Sequence, residues 1–312
     1  MKNLLITGGS GFLGRSLGKK FKKKFNVFLA SRNNKNNFLA EKISGCKSIP
    51  MDVSNIKSVY DAIQISKADI IIHAAATKFV GWSEKFPFEC TDININGSAN
   101  IVRAAIDKKV KVVIGISTDK ATQPIKNFYG MSKAVMEKIF YLSKKQSKTK
   151  FVCVRYGNVA WSTGSVLPIW KEMYHENGII QTTGPNMRRF FFTIDDAVDL
   201  VNQALKKSAL LNGKILCPEM KSSKMINIIK IWLKEYGGKY KIINERDGDR
   251  LDEYLISDNE IEYAEKVKFD KKNYYIIDFS RKSKRPLKRK ITSRNCKSLS
   301  ENEIRHILNL GL

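Results

Sequence analysis

Histidine is scarce in this chain, and its scarcity removes the most familiar metal chemistry. The three histidines, His73, His175 and His306, stand far apart, with no cysteine or carboxylate at ligand spacing, so no metal is expected. The five cysteines, Cys46, Cys90, Cys153, Cys217 and Cys296, are odd in number, widely spaced and form no CxxC pair. Neither a disulfide framework nor a zinc site follows, and a reducing cytoplasm is the expected compartment. No apolar run reaches the ~18 residues of a membrane span. The opening run from Lys2 to Thr7 stops at Gly8 with no cleavage-like site behind it, so a soluble chain without a leader is expected.

Acidic residues are also in short supply. Thirty stand against 56 basic ones, for a net charge of +26, which raises nucleic acid or an anionic membrane surface as partners. The positive charge is dispersed, however. Its densest clusters, Lys19 to Lys24 and Arg281 to Lys290, fall on a helix face and a C-terminal tail, without the interleaved aromatics of single-strand binders. We read the excess as compositional, compatible with an anionic small substrate, and expect no nucleic-acid partner.

What the chain does have is a core. Its 312 residues are 43% hydrophobic, enough for one large domain or a domain with a lobe. Short apolar runs at Leu4 to Thr7, Val27 to Ala30, Ser48 to Met51, Ala68 to Ala75, Lys111 to Ser117 and Phe151 to Tyr156 read as buried strands. Helical stretches separate them, among them Phe12 to Phe25, Pro87 to Lys108 and Tyr129 to Lys144. Strands alternating with helices predict an α/β chain with a Rossmann-like, doubly wound parallel sheet. Residues 1–157 should form the dinucleotide-binding half, with later segments returning to it. Residues 158–280 should form a small C-terminal substrate-binding lobe, and 281–312 a basic tail, partly unstructured between Lys282 and Lys290.

The chemistry concentrates at the strand ends. Thr7-Gly8-Gly9-Ser10-Gly11-Phe12-Leu13-Gly14 sits where the first strand passes into the first helix. Its glycines permit a tight turn and let backbone N–H groups, at Gly8, Ser10, Gly11, Phe12, Leu13 and Gly14, approach a pyrophosphate. The second strand ends in Ser31-Arg32, where an NAD-selective fold places an acidic residue against the ribose. Arg32, helped by Ser31 and Lys35, offers a fork for a 2′-phosphate, so NADP is expected and NAD is the alternative. Asp52 and Val53 should flank the adenine. Farther on, Ser117-Thr118-Asp119-Lys120 closes the fifth strand, and Tyr129-Gly130-Met131-Ser132-Lys133 opens the next helix. Tyr129 and Lys133 are one turn apart, so the lysine cation can lower the phenol pKa toward its role as a base, with Thr118 placed for a substrate hydroxyl.

Together with HAAATK (His73 to Lys78) and RYGNV (Arg155 to Val159), these motifs resemble the extended short-chain dehydrogenase/reductase superfamily, in its polysaccharide-biosynthesis branch. Within it the chain is similar to the inverting UDP-N-acetylglucosamine 4,6-dehydratases of pseudaminic acid biosynthesis. The resemblance implies a UDP-sugar substrate converted to its 4-keto-6-deoxy form with C5 inverted, and a homo-oligomer, dimer or hexamer. It implies Tyr129 as base at the C4 hydroxyl, Lys120 as base at C5 and Asp119 as acid at C6, with Lys133 and a cationic nicotinamide lowering the Lys120 pKa. It implies Ala74 and Lys78 near the cofactor, Lys78 also near the sugar. For the nucleotide-sugar it implies Asn158, Val166, Leu167, Pro168, Ile169 and Trp170 as lining, with Arg189 and Arg246 on the diphosphate and Asp249 on the ribose.

The chain departs from the family in several places. Trp161 stands for a usual glycine, Phe79 for histidine, Asp247 for proline and Asp249 for glutamate, with one extra residue between Pro124 and Tyr129. A retaining 4,6-dehydratase, a UDP-hexose 4-epimerase and a non-catalytic nucleotide sensor are the competing readings. The epimerase needs no acid and base at C5 and C6, and the sensor needs neither Tyr129 nor Lys133.

Overall fold

The computed structural model describes residues 1–244 and 248–311. The apolar runs become β1 (Asn3–Thr7), β2 (Asn26–Ser31), β3 (Lys47–Pro50), β4 (Ile70–His73), β5 (Val112–Ile116) and β6 (Lys150–Val154). Leu4, Leu5, Ile6, Ile71 and Ile72 are fully buried, as strands covered on both faces require. The spatial order is β3-β2-β1-β4-β5-β6, all parallel. Strand order reverses between β1 and β4, which opens a crevice at their carboxyl ends.

The intervening helices are α1 (Phe12–Phe21), α2 (Asn34–Ser44), α3 (Ile56–Ser66), α4 (Val80–Lys85), α5 (Pro87–Cys90), α6 (Gly97–Asp107) and α7 (Phe128–Ser143). Asparagines start three of them: the side chains of Asn33, Asn55 and Asn127 accept hydrogen bonds from the N–H groups of Asn36, Ser58 and Gly130. α1 and α2 pack on one face of the sheet, and α3, α6 and α7 on the other. The predicted single helix from Pro87 to Lys108 is instead α5 and α6 joined by a π-helical turn, Thr91–Asn96. The wider turn presents Asn94, whose amide bonds Thr77 O at 3.0 Å and Ser132 Oγ at 2.9 Å while its oxygen accepts from Thr77 N at 2.9 Å.

After β6 the chain alternates between sheet and lobe. The lobe holds β7 (Asn158–Val159), α8 (Val166–Asn177), β8 (Ile179–Thr182) and β9 (Arg188–Phe192). The chain returns through α9 (Ile194–Lys206), which packs beside α1, and β10 (Lys214–Pro218), which extends the sheet parallel to β6. β11 (Lys221–Lys224), α10 (Met225–Tyr236), β12 (Lys239–Ile242) and β13 (Tyr254–Ile256) rejoin the lobe. β14 (Ala264–Phe269) and β15 (Lys272–Ile277) then add two antiparallel strands to the sheet, making nine. β16 (Ile291–Thr292) pairs with β13, and α11 (Glu301–Asn309) packs on α10. The lobe has its own core, in which Leu167, Trp170, Ile229, Trp232 and Leu308 are buried.

The stretch 281–311 is more ordered than its charge suggests. Lys282 and Lys290 pair with Glu262 and Asp258 at 2.7 and 2.9 Å. A capping box between Ser300 and Glu303 starts α11, and Ile304, Ile307 and Leu308 bury its inner face. At roughly 1.5–3 kcal/mol per buried aliphatic side chain, that stripe outweighs the repulsion of a few surface lysines. Trp161 belongs to the same contact. Its backbone has φ of 61°, the left-handed conformation that a glycine adopts freely, and its indole N–H donates to Ile307 O at 2.7 Å. The turn at Trp161 thus also holds α11.

Candidate active site

The glycine turn between β1 and α1 is built for close backbone approach. Gly8 has φ of 67°, and a Cβ on it would lie 2.8 Å from the Ala74 carbonyl carbon. A Cβ on Gly14 would lie 2.5 Å from Gly8 O. Ser10, Gly11, Phe12 and Leu13 complete the turn, and α1 begins with neither a capping side chain nor an acidic residue in its first turn. An uncapped, acid-free helix start at a strand-order reversal fits a dinucleotide pyrophosphate. Ser31 Oγ bonds Ser10 Oγ at 2.7 Å and Asn37 Oδ1 at 2.5 Å, tying the end of β2 to the turn. Arg32 and Lys35 beside it are exposed. Asp52 accepts from Ser54 N at 2.9 Å, and Val53 is buried with its carbonyl held by Asn100 Nδ2 at 3.0 Å. His73, at the end of β4, links Thr7 Oγ1 at 2.9 Å to Ser98 Oγ at 3.1 Å, and burial pushes its pKa down to about 3. It is a neutral structural bridge.

A second group of side chains gathers at the end of β5. Asp119 and Lys120 lie on a 3-10 turn capped by Thr118, whose hydroxyl donates to Asp119 Oδ1 at 2.9 Å. Lys120 Nζ reaches Asp119 Oδ1 at 3.3 Å, Asn158 Oδ1 at 3.4 Å and Glu253 Oε1 at 3.6 Å. The other oxygen of Asp119, Oδ2, is buried without a partner. Arg189 on β9 approaches Glu253 at 3.8 Å and Asp249 at 3.8 Å, and donates to Arg250 O at 2.8 Å. Thr118, Asp119, Lys120, Tyr129, Asn158, Arg189 and Asp249 therefore converge on one place.

The electrostatics differ from expectation in two respects. Tyr129 is pushed up to about 12, chiefly by burial. The cation that favours its phenolate in this state is Lys120, the expected helper Lys133 being itself pushed down to about 8 by burial. For Lys120, burial disfavours the ammonium, but Asp119 and Glu253 outweigh it and the pKa is raised. This corrects the expectation of an amine kept neutral by Lys133: two carboxylates stand nearer to it. Burial likewise raises the Asp119 pKa against the pull of Lys120, with Glu253 adding to the rise, as an acid requires.

Other predicted residues have different surroundings. Lys78, on the stretch after β4, has its ammonium 5.7 Å from the Phe79 ring centre, and burial of that group lowers its pKa. Val166, Pro168 and Ile169 are half-buried at the start of α8, but Leu167 and Trp170 face the lobe core, and the Trp170 indole donates to Gln181 O at 2.7 Å. Those two side chains are packing residues because α8 must bury one face. Arg246 lies outside the described residues.

Sequence reasoning missed Glu253 and Arg250, which complete the charge cluster, and Asn94, which braces α7. A single glutamate between Asp252 and Tyr254 has no spacing signal of its own. Also missed was the buried trio behind α7, where Arg155 bonds Glu137 at 2.7 Å and Glu260 at 2.9 Å. A cavity of about 270 Å³ opens beside that trio, but its lining includes none of Thr118, Asp119, Lys120 or Tyr129.

The family model of the polysaccharide biosynthesis protein matches residues 4–277. The chain belongs to that family. The inverting UDP-N-acetylglucosamine 4,6-dehydratase of Campylobacter jejuni subsp. jejuni serotype O:23/36 is 30% identical over 284 residues, 88% of this chain and 82% of the relative. The UDP-glucose 4-epimerase of Rickettsia bellii strain OSU 85-389 is 33% identical over 333 residues, 98% of this chain and 95% of the relative. The structure of Pen from Bacillus thuringiensis superposes with a TM-score of 0.90 at 30% identity, covering 99% and 97% of the two chains. Solved UDP-glucose 4-epimerases with bound NAD, at 18–19% identity, share the fold. This polysaccharide biosynthesis protein is thus an enzyme of the nucleotide-sugar dehydratase and epimerase group. No helix among the described residues is long and apolar enough to cross a membrane.

Proposed function

We propose that the protein is an NADP-dependent 4,6-dehydratase of UDP-N-acetylglucosamine that inverts C5, producing a UDP-4-keto-6-deoxy-L-arabino-hexose for surface glycan synthesis. The observation that carries this reading is the pairing of buried Asp119 with half-buried Lys120 beside Thr118 and Tyr129, because oxidation at C4 alone has no use for a second acid and base.

The β1–α1 turn, with Ser31, Arg32 and Lys35 at the end of β2, Asp52, Val53 and Ala74, would hold the dinucleotide, and Tyr129 and Lys133 would face its nicotinamide end. A dinucleotide bound there would supply reversible hydride chemistry at C4 and C6. Tyr129, with Thr118 beside it, takes the C4 hydroxyl proton. The ketone acidifies C5–H, and Lys120 removes that proton. Asp119, whose pKa burial raises against the pull of Lys120, gives a proton to the departing C6 hydroxyl. Asn158, Arg189 and Asp249 line the sugar and phosphate side, with Lys78, Arg246 and the α8 residues assigned there by resemblance. A homo-oligomer, dimer or hexamer, is part of this reading.

Incubating the purified protein with UDP-N-acetylglucosamine should give a product lighter by one water, and in deuterated water label should enter at C5. Proton couplings then report which C5 configuration forms. An unchanged mass with several UDP-sugars would remove dehydration. The near full-length likeness to a UDP-glucose 4-epimerase favours a second reading, simple epimerisation at C4. Lys120→Ala separates the two: it should stop dehydration and spare epimerisation.

A further inference from the structure

If Lys120 is the C5 base, Asp119 and Glu253 hold it in the wrong protonation state, and the second of these carboxylates also offers the remedy. Glu253 is 3% exposed, with Oε1 3.6 Å from Lys120 Nζ and 3.8 Å from Arg189 Nε, and Oε2 4.0 Å from Arg250 Nη1. These separations exceed hydrogen-bond length, so the charges face one another without being fastened. Among the described residues Glu253 Oε2 has no hydrogen-bond partner, and neither have Nε and Nη1 of the 5% exposed Arg250, whose Nη2 donates to Pro124 O. Idle donors on a buried arginine are costly and mark a place that an anion would fill. The Glu253 backbone is fixed meanwhile: its N–H donates to Ser293 Oγ at 2.9 Å, and its carbonyl accepts from Ser293 N at 2.8 Å.

We propose that Glu253 is a positioning residue that accepts the Lys120 proton when an anionic substrate group engages Arg250 and Arg189. The ligand, and not the pH of the solvent, then frees the lysine amine. The inference rests on the reading of Lys120 as a base. The groups facing Glu253 are Lys120 and Asp119 from the turn after β5, Arg189 from β9, and Arg250 from its own segment, with Asp249 beside Arg189 and Tyr129 beside Lys120. Without ligand, burial works against the Glu253 carboxylate, but Lys120, Arg189 and Arg250 hold its pKa below the ordinary value.

A phosphate anion on the two arginines cancels their share of that support. In a site closed from water, the charged Lys120 and Glu253 pair then becomes costlier than the neutral amine and carboxylic acid. One N–H bond of Lys120 breaks, one O–H bond of Glu253 forms, and no proton leaves the site. The amine can now take the C5 proton. A proton drawn from solvent is delivered to the opposite face of C5, and Lys120 releases the abstracted proton to solvent, so that the free amine takes back the Glu253 proton when the anion departs.

The test uses the purified holoenzyme, with UDP as the anionic probe and then UDP-N-acetylglucosamine. Infrared difference spectra on adding UDP should show a new protonated-carboxyl C=O band in the wild type and in E253D, and none in E253Q. Absence of the band from the wild type, or its persistence in E253Q, overturns the proposal. In deuterated water, the rate of label entry at C5 should be nearly flat between about pH 7 and 9 for the wild type and E253D. For E253Q it should be at least tenfold lower near pH 7 and climb about tenfold per pH unit, because the lysine must then lose its proton to solvent. An E253Q rate equal to the wild type near pH 7, or reduced by one factor throughout, would show a structural role only. A wild type that gains the band but takes no label at C5 would end the dehydratase reading and leave the proton acceptor standing.

Discussion

Lys133→Met should stabilise the nucleotide-stripped protein while abolishing its activity. Lys133 is 2% exposed on the inner face of α7, and among the described residues its ammonium has one hydrogen bond, a 3.3 Å contact to Met136 Sδ. Burial lowers its pKa from 10.5 to about 8, so the folded state binds this proton more weakly than the unfolded chain does. Each tenfold change in a proton equilibrium is worth about 1.4 kcal/mol, which puts the cost of the charged lysine near neutral pH at about 3 kcal/mol. The sign is set by proton counts: between about 8 and 10.5 the unfolded state holds more protons, so wild-type stability should rise with pH across that window. Urea unfolding of both proteins from neutral to alkaline pH checks this, since other titrating groups cancel in the difference. The variant should be more stable by up to about 3 kcal/mol near pH 7, with the advantage shrinking above pH 8. A difference independent of pH, or a less stable variant, would refute the argument that burial alone sets the state of this lysine.

Three further outcomes follow from geometry. Arg155→Met strands Glu137 and Glu260, both buried and bonded to it at 2.7 and 2.9 Å, and should cost about 3–5 kcal/mol by urea unfolding. Gly14→Ala puts a methyl 2.5 Å from Gly8 O, so the turn must open, and the purified variant should carry no bound nucleotide by absorbance. On the NADP reading, Arg32→Glu should weaken NADP binding by more than about tenfold in a fluorescence titration and leave NAD nearly unchanged, because the side chain would meet the 2′-phosphate that NAD lacks.

The parallel sheet was legible because β1, β4, β5 and β6 are short runs dominated by aliphatic residues and buried on both faces, with β2 and the shorter β3 spaced between turns beside them. The glycine turn and the proximity of Thr118, Asp119, Lys120 and Tyr129 were legible for a related reason: the strand end and the helix start fix their spacing along the chain. What escaped was long-range. Glu253 reaches Lys120 across 133 positions by way of the lobe, and no local pattern encodes that meeting. Lys120 was expected to have its ammonium disfavoured by neighbouring cations, because only Lys133 and the nicotinamide were in view; the two carboxylates reverse the balance. α11 was hidden under lysine-rich surroundings, its Ile304, Ile307 and Leu308 stripe too short to stand out. The π-turn at Thr91–Asn96 was missed because a wide turn keeps helical composition while changing which residues face inward.

The alternation between sheet and lobe has a consequence for how such enzymes acquire new substrates. The lobe is assembled from three separated stretches, around 158–192, 221–256 and 291–309, with sheet elements between them. No single recombination junction can therefore transplant it from one relative to another. A change of sugar preference in this architecture must accumulate by point substitution under a constant scaffold, and an engineer grafting specificity would need several coordinated splices where a modular protein needs one.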